Sequence, residues 1–322
     1  PLRGASRAGA RGAYRRGALM RWQGTDRWCA CPSRAAARDV AAGLARGLAP
    51  SSRAMSEITL GDGTTLAYEE AGQGPAVLLI QGGGIAGRGW RPQVEALADR
   101  CRVVTFDNRG IGGSGPLVGP LSIEQMAGDA LALMDALGLA RAHVVGHSMG
   151  GVIAQALALA APERVASLAL LCTVARGADA TAMTFDIVWL GLRGKIGTVR
   201  SRRMAFLELV SPRAVLAGDR EAHAAALEAA FGRSLHAVPP VAMKQLRALG
   251  RYDATPRLGE LAARPVLVMS ASEDRVTRPR FGRALAEGVA GARYVELDAA
   301  GHAAPVQQAS RVNALLEEHL GA

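Results

Sequence analysis

One serine stands in a setting that can make it a nucleophile. Gly146, Ser148 and Gly150 form the pattern G-x-S-x-G, after an apolar run that predicts a strand and before a run that predicts a helix. In a tight strand-to-helix turn the serine hydroxyl is exposed, and the two glycines leave room for neighbouring chains. The backbone N–H of Met149 would open the helix and point at the same space. The pattern therefore predicts nucleophilic attack by Ser148.

A serine hydroxyl needs a general base, and the base needs an acid that orients it. Candidates for both occur later in the chain, on loops that follow predicted strands. The loop after the strand predicted at 265–270 ends in Glu273 and Asp274, and the next strand leads to Asp298 and His302. Loops that follow parallel strands meet at one edge of the sheet. We therefore expect these side chains at the same edge as the serine.

Five other histidines compete with His302 for the role of base. His143 lies within a predicted strand, and His147 is part of the serine's own turn, so neither sits on a separate loop. Three more fall in a helical segment or near the chain end, namely His223, His236 and His319. We predict that His302 is the base, with the choice among the acidic residues open at this point.

The segments between these residues alternate in a way that predicts an α/β domain. A first hairpin is predicted over 58–69. Six further strands are predicted near 76–81, 102–106, 142–146, 165–172, 265–270 and 292–297. Alternation with helices favours a mostly parallel sheet covered by helices on both faces. Over 175–258 helical patches occur without a convincing strand, so we predict an inserted helical cap there and a core made of 55–174 and 259–322.

Four motifs in a fixed order make the chain resemble the α/β-hydrolase fold family, in its serine esterase and lipase-like branch with a small helical cap. They are the elbow 146–151, the loop 106–114, the strand and loop 266–274, and the loop 300–302. The resemblance covers about residues 57–320. It selects Asp274 as the acid by register and so implies a triad of Ser148, Asp274 and His302. Ala271 stands where the family usually has glycine.

A glycine-rich loop after the third predicted strand is the candidate oxyanion site. Gln81-Gly82-Gly83-Gly84 occupies the place where the family usually has His-Gly-x-Gly. Glycines let the backbone approach a substrate closely and aim N–H groups at it. The resemblance implies that the N–H groups of Gly83 and Met149 bind the oxyanion, with Gly82 and Gly84 supporting the loop. Gln81 departs from the family pattern, and we predict that its neutral amide holds the loop by hydrogen bonds.

The helical segment is predicted to roof a substrate pocket. Phe185 and Trp189 are the main candidates to line it, while packing between helices is the favoured interpretation for most of the large side chains there. Further candidates are Met183, Met204, Phe206 and Met243. A basic run is predicted to form a solvated face, with attraction of an acidic substrate as the minor alternative. It consists of Arg193, Lys195, Arg200, Arg202 and Arg203.

Charge is concentrated at the start of the chain. The 322 residues have a formal charge of +10, and residues 1–54 hold eleven arginines and two aspartates. This segment lacks a regular apolar period and is predicted to be disordered. Met55 precedes the first predicted strand, so 1–54 is interpreted as upstream sequence that is not native, with translation starting at Met55. A transit peptide and a basic arm for nucleic acid are the alternatives that its arginine-rich composition leaves open. No apolar run is long enough to span a membrane. Few cysteines and no secretory signal predict a cytoplasmic location.

Together these patterns predict a serine hydrolase that cleaves carboxylic esters of small or medium size through an acyl-enzyme, without a cofactor. Cys29 and Cys31 lack partners at metal-ligand spacing, so no metal is predicted. Gly110, Gly112 and Gly115 form G-x-G-x-x-G but do not open directly into a helix, as a nucleotide site requires. No nucleic-acid partner is predicted. Lactonases, carbon–carbon bond hydrolases and cofactor-free perhydrolases of the resembled family share the triad. A non-catalytic small-ligand receptor is the alternative of a different class.

Overall fold

An eight-stranded sheet lies at the centre of the computed structural model, which describes residues 55–181, 189 and 192–321. The strands are β1 (Ser56–Thr59), β2 (Thr65–Ala71), β3 (Ala76–Ile80), β4 (Arg102–Phe106), β5 (Ala142–His147), β6 (Val165–Leu171), β7 (Val266–Ala271) and β8 (Arg293–Leu297). Their order across the sheet is β1-β2-β4-β3-β5-β6-β7-β8. Strand β2 pairs antiparallel with β1 and β4, and all other neighbours are parallel. The predicted mostly parallel sheet is confirmed.

Helices accompany the strands throughout the described residues. They are α1 (Arg91–Leu97), α2 (Ile123–Ala136), α3 (Met149–Ala160), α4 (Gly177–Thr181), α5 (Val199–Val210), α6 (Arg213–Leu216), α7 (Arg220–Phe231), α8 (Ala242–Arg251), α9 (Pro279–Glu287), α10 (Ala304–Gln307) and α11 (Ala309–Leu320). Short 3₁₀ segments occur at Gly87–Trp90, Pro162–Arg164 and Thr255–Ala263. Helices α10 and α11 are separated at Gln308, where the backbone leaves helical geometry with φ −126° and ψ 42°. No described helix has both the length and the apolar character needed to cross a membrane.

The sheet has an apolar core on each of its two faces. Successive side chains of a strand point to opposite faces. Leu78 and Ile80 of β3 accordingly belong to a cluster that includes residues of α2 and α3, whereas Val77 and Leu79 belong to a second cluster with residues of α1 and α11. A strand that is buried on both faces has a continuous apolar sequence, which explains why the run at 76–80 does not alternate.

Between β6 and β7 the described residues form helices α4 to α8. Outside the helices, a single bridge between Arg176 and Asp253 is the only strand-like pairing described there. This agrees with the helical character expected for 175–258, while its role as a cap and the proposed domain bounds stay predictions. Residues 1–54, for which disorder and a non-native origin are predicted, lie outside the described residues.

The loop after β4 contains a buried ion pair. Asp107 is the acidic residue nearest to Arg109 in sequence, but the guanidinium of Arg109 binds Asp129 of α2 through Nε–Oδ2 and Nη2–Oδ1 contacts of 2.5 and 2.6 Å. Asp107 instead accepts the N–H groups of Gly87 and Gly113 at 2.6 and 2.8 Å. A planar guanidinium fork matches one carboxylate in this way. The partner is distant in sequence, so local spacing could not reveal it.

The parallel strands bring the candidate functional residues to one edge of the sheet. Gln81 directly follows β3, Ser148 follows β5, Asp274 lies in the loop after β7, and His302 lies in the loop after β8. Because these strands run in the same direction, the four loops share the carboxyl edge, which is where ligands bind in open α/β sheets.

Candidate active site

Ser148 sits in a strained turn between β5 and α3. Its backbone has φ 55° and ψ −123°, a conformation that side chains with a Cβ rarely adopt. The flanking glycines make the turn sterically feasible. A methyl group on Gly150 would lie 2.1 Å from the carbonyl oxygen of Ile80, and one on Gly146 would lie 2.3 Å from the carbonyl oxygen of Gly150. The hydroxyl of Thr173 donates to the carbonyl oxygen of Ser148 at 2.7 Å and holds the turn.

Ser148, His302 and Asp274 form a continuous hydrogen-bonded chain. Nε2 of His302 lies 2.9 Å from Oγ of Ser148, and Nδ1 of His302 lies 2.8 Å from Oδ2 of Asp274. The Asp274 side chain is fully buried, and Ser148 is partly exposed. When Nδ1–H donates to the carboxylate, Nε2 is free to accept the serine proton. The arrangement can therefore activate the hydroxyl.

The buried carboxylate of Asp274 has a full set of donors. Its Oδ1 accepts the N–H groups of Val276 and Thr277 at 2.7 and 2.9 Å, and its Oδ2 accepts the Thr277 hydroxyl at 2.8 Å. Burial opposes ionisation, but the charge and hydrogen bond of His302 and the donors of Thr277 hold the pKa of Asp274 below its usual value. Thr277 lies outside the sequence motifs described above. Its position three residues after the acid is the available signal, since a hydroxyl there can return to a carboxylate.

The rival acids and bases lie elsewhere. Glu273 accepts the backbone N–H of Arg213 at 2.8 Å, and Asp298 is exposed. Within the described ranges, His302 is the one histidine whose ring lies within hydrogen-bond distance of Oγ of Ser148. The geometry thus brings together the three residues that the resemblance selects.

In the loop after β3, the backbone N–H groups of Gly82 and Gly84 form hydrogen bonds, whereas the N–H of Gly83 between them does not. The N–H of Gly82 donates to Oε1 of Gln81 at 2.8 Å, and the N–H of Gly84 donates to Oε1 of Gln245 at 2.9 Å. No hydrogen bond joins the N–H of Gly83 to another described residue. Gln245 comes from α8, and nothing in the sequence marked it, because a single glutamine on a helix carries no pattern.

Gly83 lies beside the first turn of α3. A methyl group on Gly83 would lie 3.7 Å from the sulfur of Met149, and one on Gly82 would lie 3.1 Å from Cβ of Ser148. Met149 is the first residue of α3, where a backbone N–H has no partner within its own helix. The two N–H groups expected to bind an oxyanion are therefore close to the serine and open to a ligand.

Gln81 and His147 connect three loops. Oε1 of Gln81 lies 3.0 Å from Nδ1 of His147, and Nε2 of His147 lies 2.9 Å from the carbonyl oxygen of His302. Burial, above all, lowers the pKa of His147 to about 3. The ring is therefore neutral near pH 7, and it joins the glycine-rich loop to the loops of Ser148 and His302 without adding a charge.

With this geometry established, comparison with known proteins settles the family. The family model of the α/β hydrolase fold matches residues 75–309, more than half of the chain. The chain belongs to the α/β-hydrolase family. A relative from Azorhizobium caulinodans, named "Putative carbamate hydrolase RutD", is 35% identical over 247 residues, which cover 76% of this chain and 90% of that protein.

Two solved structures of other hydrolases are similar over nearly their whole length. The enol-lactonase from Burkholderia xenovorans LB400 has a TM-score of 0.70 and 29% identity, covering 83% of this chain and all of that one. A thermophilic esterase from Thermogutta terrifontis has a TM-score of 0.69 and 28% identity, covering 83% of this chain and 98% of that one. The chain is thus a hydrolase of this fold that acts on small molecules.

A cavity of about 440 Å³ adjoins the serine of this hydrolase. Apolar side chains of the segment between β6 and β7 form much of its wall: Ala205, Phe206, Leu209, Phe231, Leu235, Met243, Leu246 and Leu249. Trp189 is 53% exposed and does not line this cavity, and Phe185 lies outside the described residues. Met204 packs against a neighbouring helical cluster, and Met183 is not described. The size of a side chain makes it a candidate for the cavity wall, but size does not show whether the residue lies on the helix face that borders the cavity.

One group near the serine has potential metal-ligating atoms close together. Atoms of His147, Cys172 and His302 lie within 4.8 Å of one another. Both nitrogens of each ring already contact protein groups. Burial raises the pKa of the Cys172 thiol well above its usual value, so it stays protonated. Metal ligands must be deprotonated and available, and this group does not meet that condition. The absence of a metal stays a prediction.

Replacement of Gln81 tests the connection among the loops. In Gln81→Leu the N–H of Gly82 loses its acceptor and the ring of His147 loses a polar contact, so the loop should shift relative to Ser148. We expect kcat to fall by roughly tenfold to a hundredfold, since a misplacement on the order of 1 Å can cost a hundredfold. The free energy of unfolding should fall by about 1–3 kcal/mol, because the buried N–H of Gly82 loses its hydrogen-bond acceptor. Steady-state kinetics and urea unfolding measure the two effects. Unchanged kcat would contradict this role for Gln81.

Proposed function

We propose that this hydrolase cleaves carboxylic esters of small or medium size through an acyl-enzyme formed on Ser148. The observation that carries the proposal is the hydrogen-bonded chain from Ser148 through His302 to Asp274, at the wall of an apolar cavity. The volume of about 440 Å³ is typical of sites for small ligands. We further propose that the helices between β6 and β7 roof this site as a cap.

The first step is attack by Oγ of Ser148 on the ester carbonyl carbon. Nε2 of His302 takes the hydroxyl proton at the same time, because it already lies 2.9 Å from Oγ. Asp274 keeps the ring in the required tautomer and stabilises the imidazolium that forms. Its donors from Val276 and Thr277 keep the carboxylate charged and in place.

Negative charge then develops on the carbonyl oxygen of the substrate. The N–H groups of Gly83 and Met149 are the proposed donors to this oxyanion. Both N–H groups are fixed before substrate arrives. The hydrogen bonds of Gly82 and Gly84 hold Gly83 in place, and Met149 is held by its position at the start of α3. Such preorganised donors are each worth about 10²- to 10³-fold in kcat.

Breakdown of the tetrahedral intermediate releases the alcohol and leaves an ester on Ser148. His302 returns its proton to the departing oxygen, and the acyl group stays on Oγ. A water molecule then takes the place of the alcohol, gives a proton to His302 and attacks the acyl carbon. Release of the carboxylic acid restores the serine hydroxyl.

A lactone is the second candidate substrate. The structural neighbour from Burkholderia xenovorans is named an enol-lactonase, and ring opening uses the same attack on a carbonyl carbon. The Azorhizobium relative is named a carbamate hydrolase, and the carbonyl carbon of a carbamate can be attacked in the same way. Esters are favoured because the thermophilic neighbour is named an esterase and the site needs no further group for ester cleavage.

Pre-steady-state kinetics with nitrophenyl acetate tests the proposal. The wild type should release a burst of nitrophenol equal to the enzyme concentration, because acylation precedes water attack. Rapid acid quenching followed by peptide mass spectrometry should place an acetyl group on Ser148. Ser148→Ala should show neither signal. The control Ser310→Ala, which changes an exposed serine on α11, should keep both.

A panel with a butyrate ester, a lactone and an aryl carbamate ranks the substrate classes by kcat/KM. If no member of the panel is hydrolysed in a Ser148-dependent manner, the proposed ester chemistry is wrong. Binding of these compounds without turnover would favour the receptor alternative.

A further inference from the structure

The cavity beside Ser148 carries two positive charges and no acidic side chain among the described residues that line it. The cations are Arg202 on α5 and Lys195 just before that helix. Lys195 is exposed, whereas Arg202 is partly buried. Most of the remaining wall is apolar, so the protein provides little screening of the charge of Arg202.

Arg202 differs from the other arginines around it. Arg200 binds Glu221 through an Nε–Oε1 contact of 2.7 Å, and Arg203 binds both Glu221 and Glu228. No ion pair or hydrogen bond joins the side chain of Arg202 to another described residue, and its Nε is buried without a partner. Carboxylates are therefore available in this region, but none of them neutralises Arg202.

Helical spacing explains why Arg202 alone is left unpaired. Residues three, four and seven positions apart share one face of a helix. Ala205, Phe206 and Leu209 follow Arg202 at these spacings, and all four line the cavity. Arg200 and Arg203 do not line it and bind glutamates instead. The apolar cavity face of α5 thus contains one guanidinium.

A partly buried cation without a partner is unfavourable unless a ligand supplies the opposite charge. The guanidinium fork fits a planar carboxylate with two parallel hydrogen bonds, and the buried Nε–H is one of the available donors. Both ends of a suitable ligand would then be recognised in one cavity, with the ester carbonyl at Ser148 and an anion at Arg202.

We propose that the preferred substrates carry a carboxylate in addition to the ester, as in a monoester of a dicarboxylic acid, and that Arg202 binds this carboxylate. Lys195 at the exposed side would draw the anion toward the cavity. The inference rests on the proposed function, since it assigns a substrate class to the same site.

Two nitrophenyl esters with acyl chains of equal carbon number provide the test. The monoester of adipic acid ends in a carboxylate, and nitrophenyl hexanoate ends in a methyl group. Wild type should have the higher kcat/KM for the adipate ester. In Arg202→Met the ratio of the two kcat/KM values should fall by about tenfold to a hundredfold, as expected for loss of a charged hydrogen bond. The matched variant Arg200→Met should keep the wild-type ratio.

Inhibition of the wild type gives a measurement that does not depend on the folding of a variant. Adipate should compete with nitrophenyl hexanoate more strongly than hexanoate does, and added salt should weaken this inhibition. Equal inhibition by both acids, or an Arg202→Met ratio equal to that of wild type, would overturn the carboxylate assignment while ester hydrolysis stands. If neither ester is cleaved, the proposed function fails. Calorimetric binding of adipate to wild type and Arg202→Met then decides the anion site by itself.

Discussion

His302→Gln is expected to lower kcat for a nitrophenyl ester by about 10⁴-fold or more. Nε2 of His302 lies 2.9 Å from Oγ of Ser148, and no other described imidazole is within reach of that oxygen. Glutamine keeps a polar side chain of similar length but cannot take up a proton, so the serine hydroxyl loses its base. Steady-state kinetics at saturating ester measures kcat directly.

We expect the His302→Gln substitution to lower kcat without lowering the stability of the fold. His236→Gln serves as the matched control, because it changes a histidine in the loop between α7 and α8 that does not line the cavity. This control should retain the kcat of wild type, and both variants should unfold at similar urea concentrations. A His302→Gln variant that keeps most of the wild-type kcat would show that another group activates Ser148.

The arrangement of the sheet could be predicted because apolar runs and their alternation with helices are local properties of the sequence. Strands β3, β5, β7 and β8 had to be parallel once each was separated from the next by a helical segment, and parallel strands end at one edge. The proximity of Ser148, Asp274 and His302 follows from that rule. Their catalytic roles remain proposals, since geometry alone shows only that the groups can transfer a proton.

Contacts between segments that are distant in sequence could not be predicted from local sequence patterns. The ion pair of Arg109 with Asp129 joins a loop to α2, and the hydrogen bond of Gly84 to Gln245 joins a loop to α8. Neither pair has a fixed spacing in sequence, because the partner is selected by how the helix packs. The same limit applies to Trp189, whose size suggested a place in the cavity wall that the structure does not give it.

The contact between Gly84 and Gln245 also links the cavity wall to the proposed oxyanion loop. Gln245 is buried and lines the cavity, and its Oε1 fixes the N–H of Gly84, which follows the proposed donor Gly83. A change in the position of α8 would therefore be transmitted to the loop. The shape of the cavity and the position of the proposed oxyanion loop are thus coupled through the side chain of Gln245.

Gly150→Ala is expected to reduce the free energy of unfolding by about 4 kcal/mol or more, or to prevent folding. The new methyl group would lie 2.1 Å from the carbonyl oxygen of Ile80. The clash is between the backbone segments at the end of β3 and the start of α3. Neither can move without displacing the turn of Ser148 or the start of the glycine-rich loop. Urea unfolding measures the effect, and the soluble yield reports a failure to fold.

Gly128→Ala provides the matched control for this substitution. Gly128 also lies within a helix, α2, but a methyl group there would have no other atom within 4 Å. Alanine should stabilise that helix by roughly 0.5–1 kcal/mol, because glycine loses more backbone entropy on folding. The same chemical change should therefore have opposite signs at the two sites. A Gly150→Ala protein as stable as wild type would show that the turn around Ser148 is not constrained by close packing against β3.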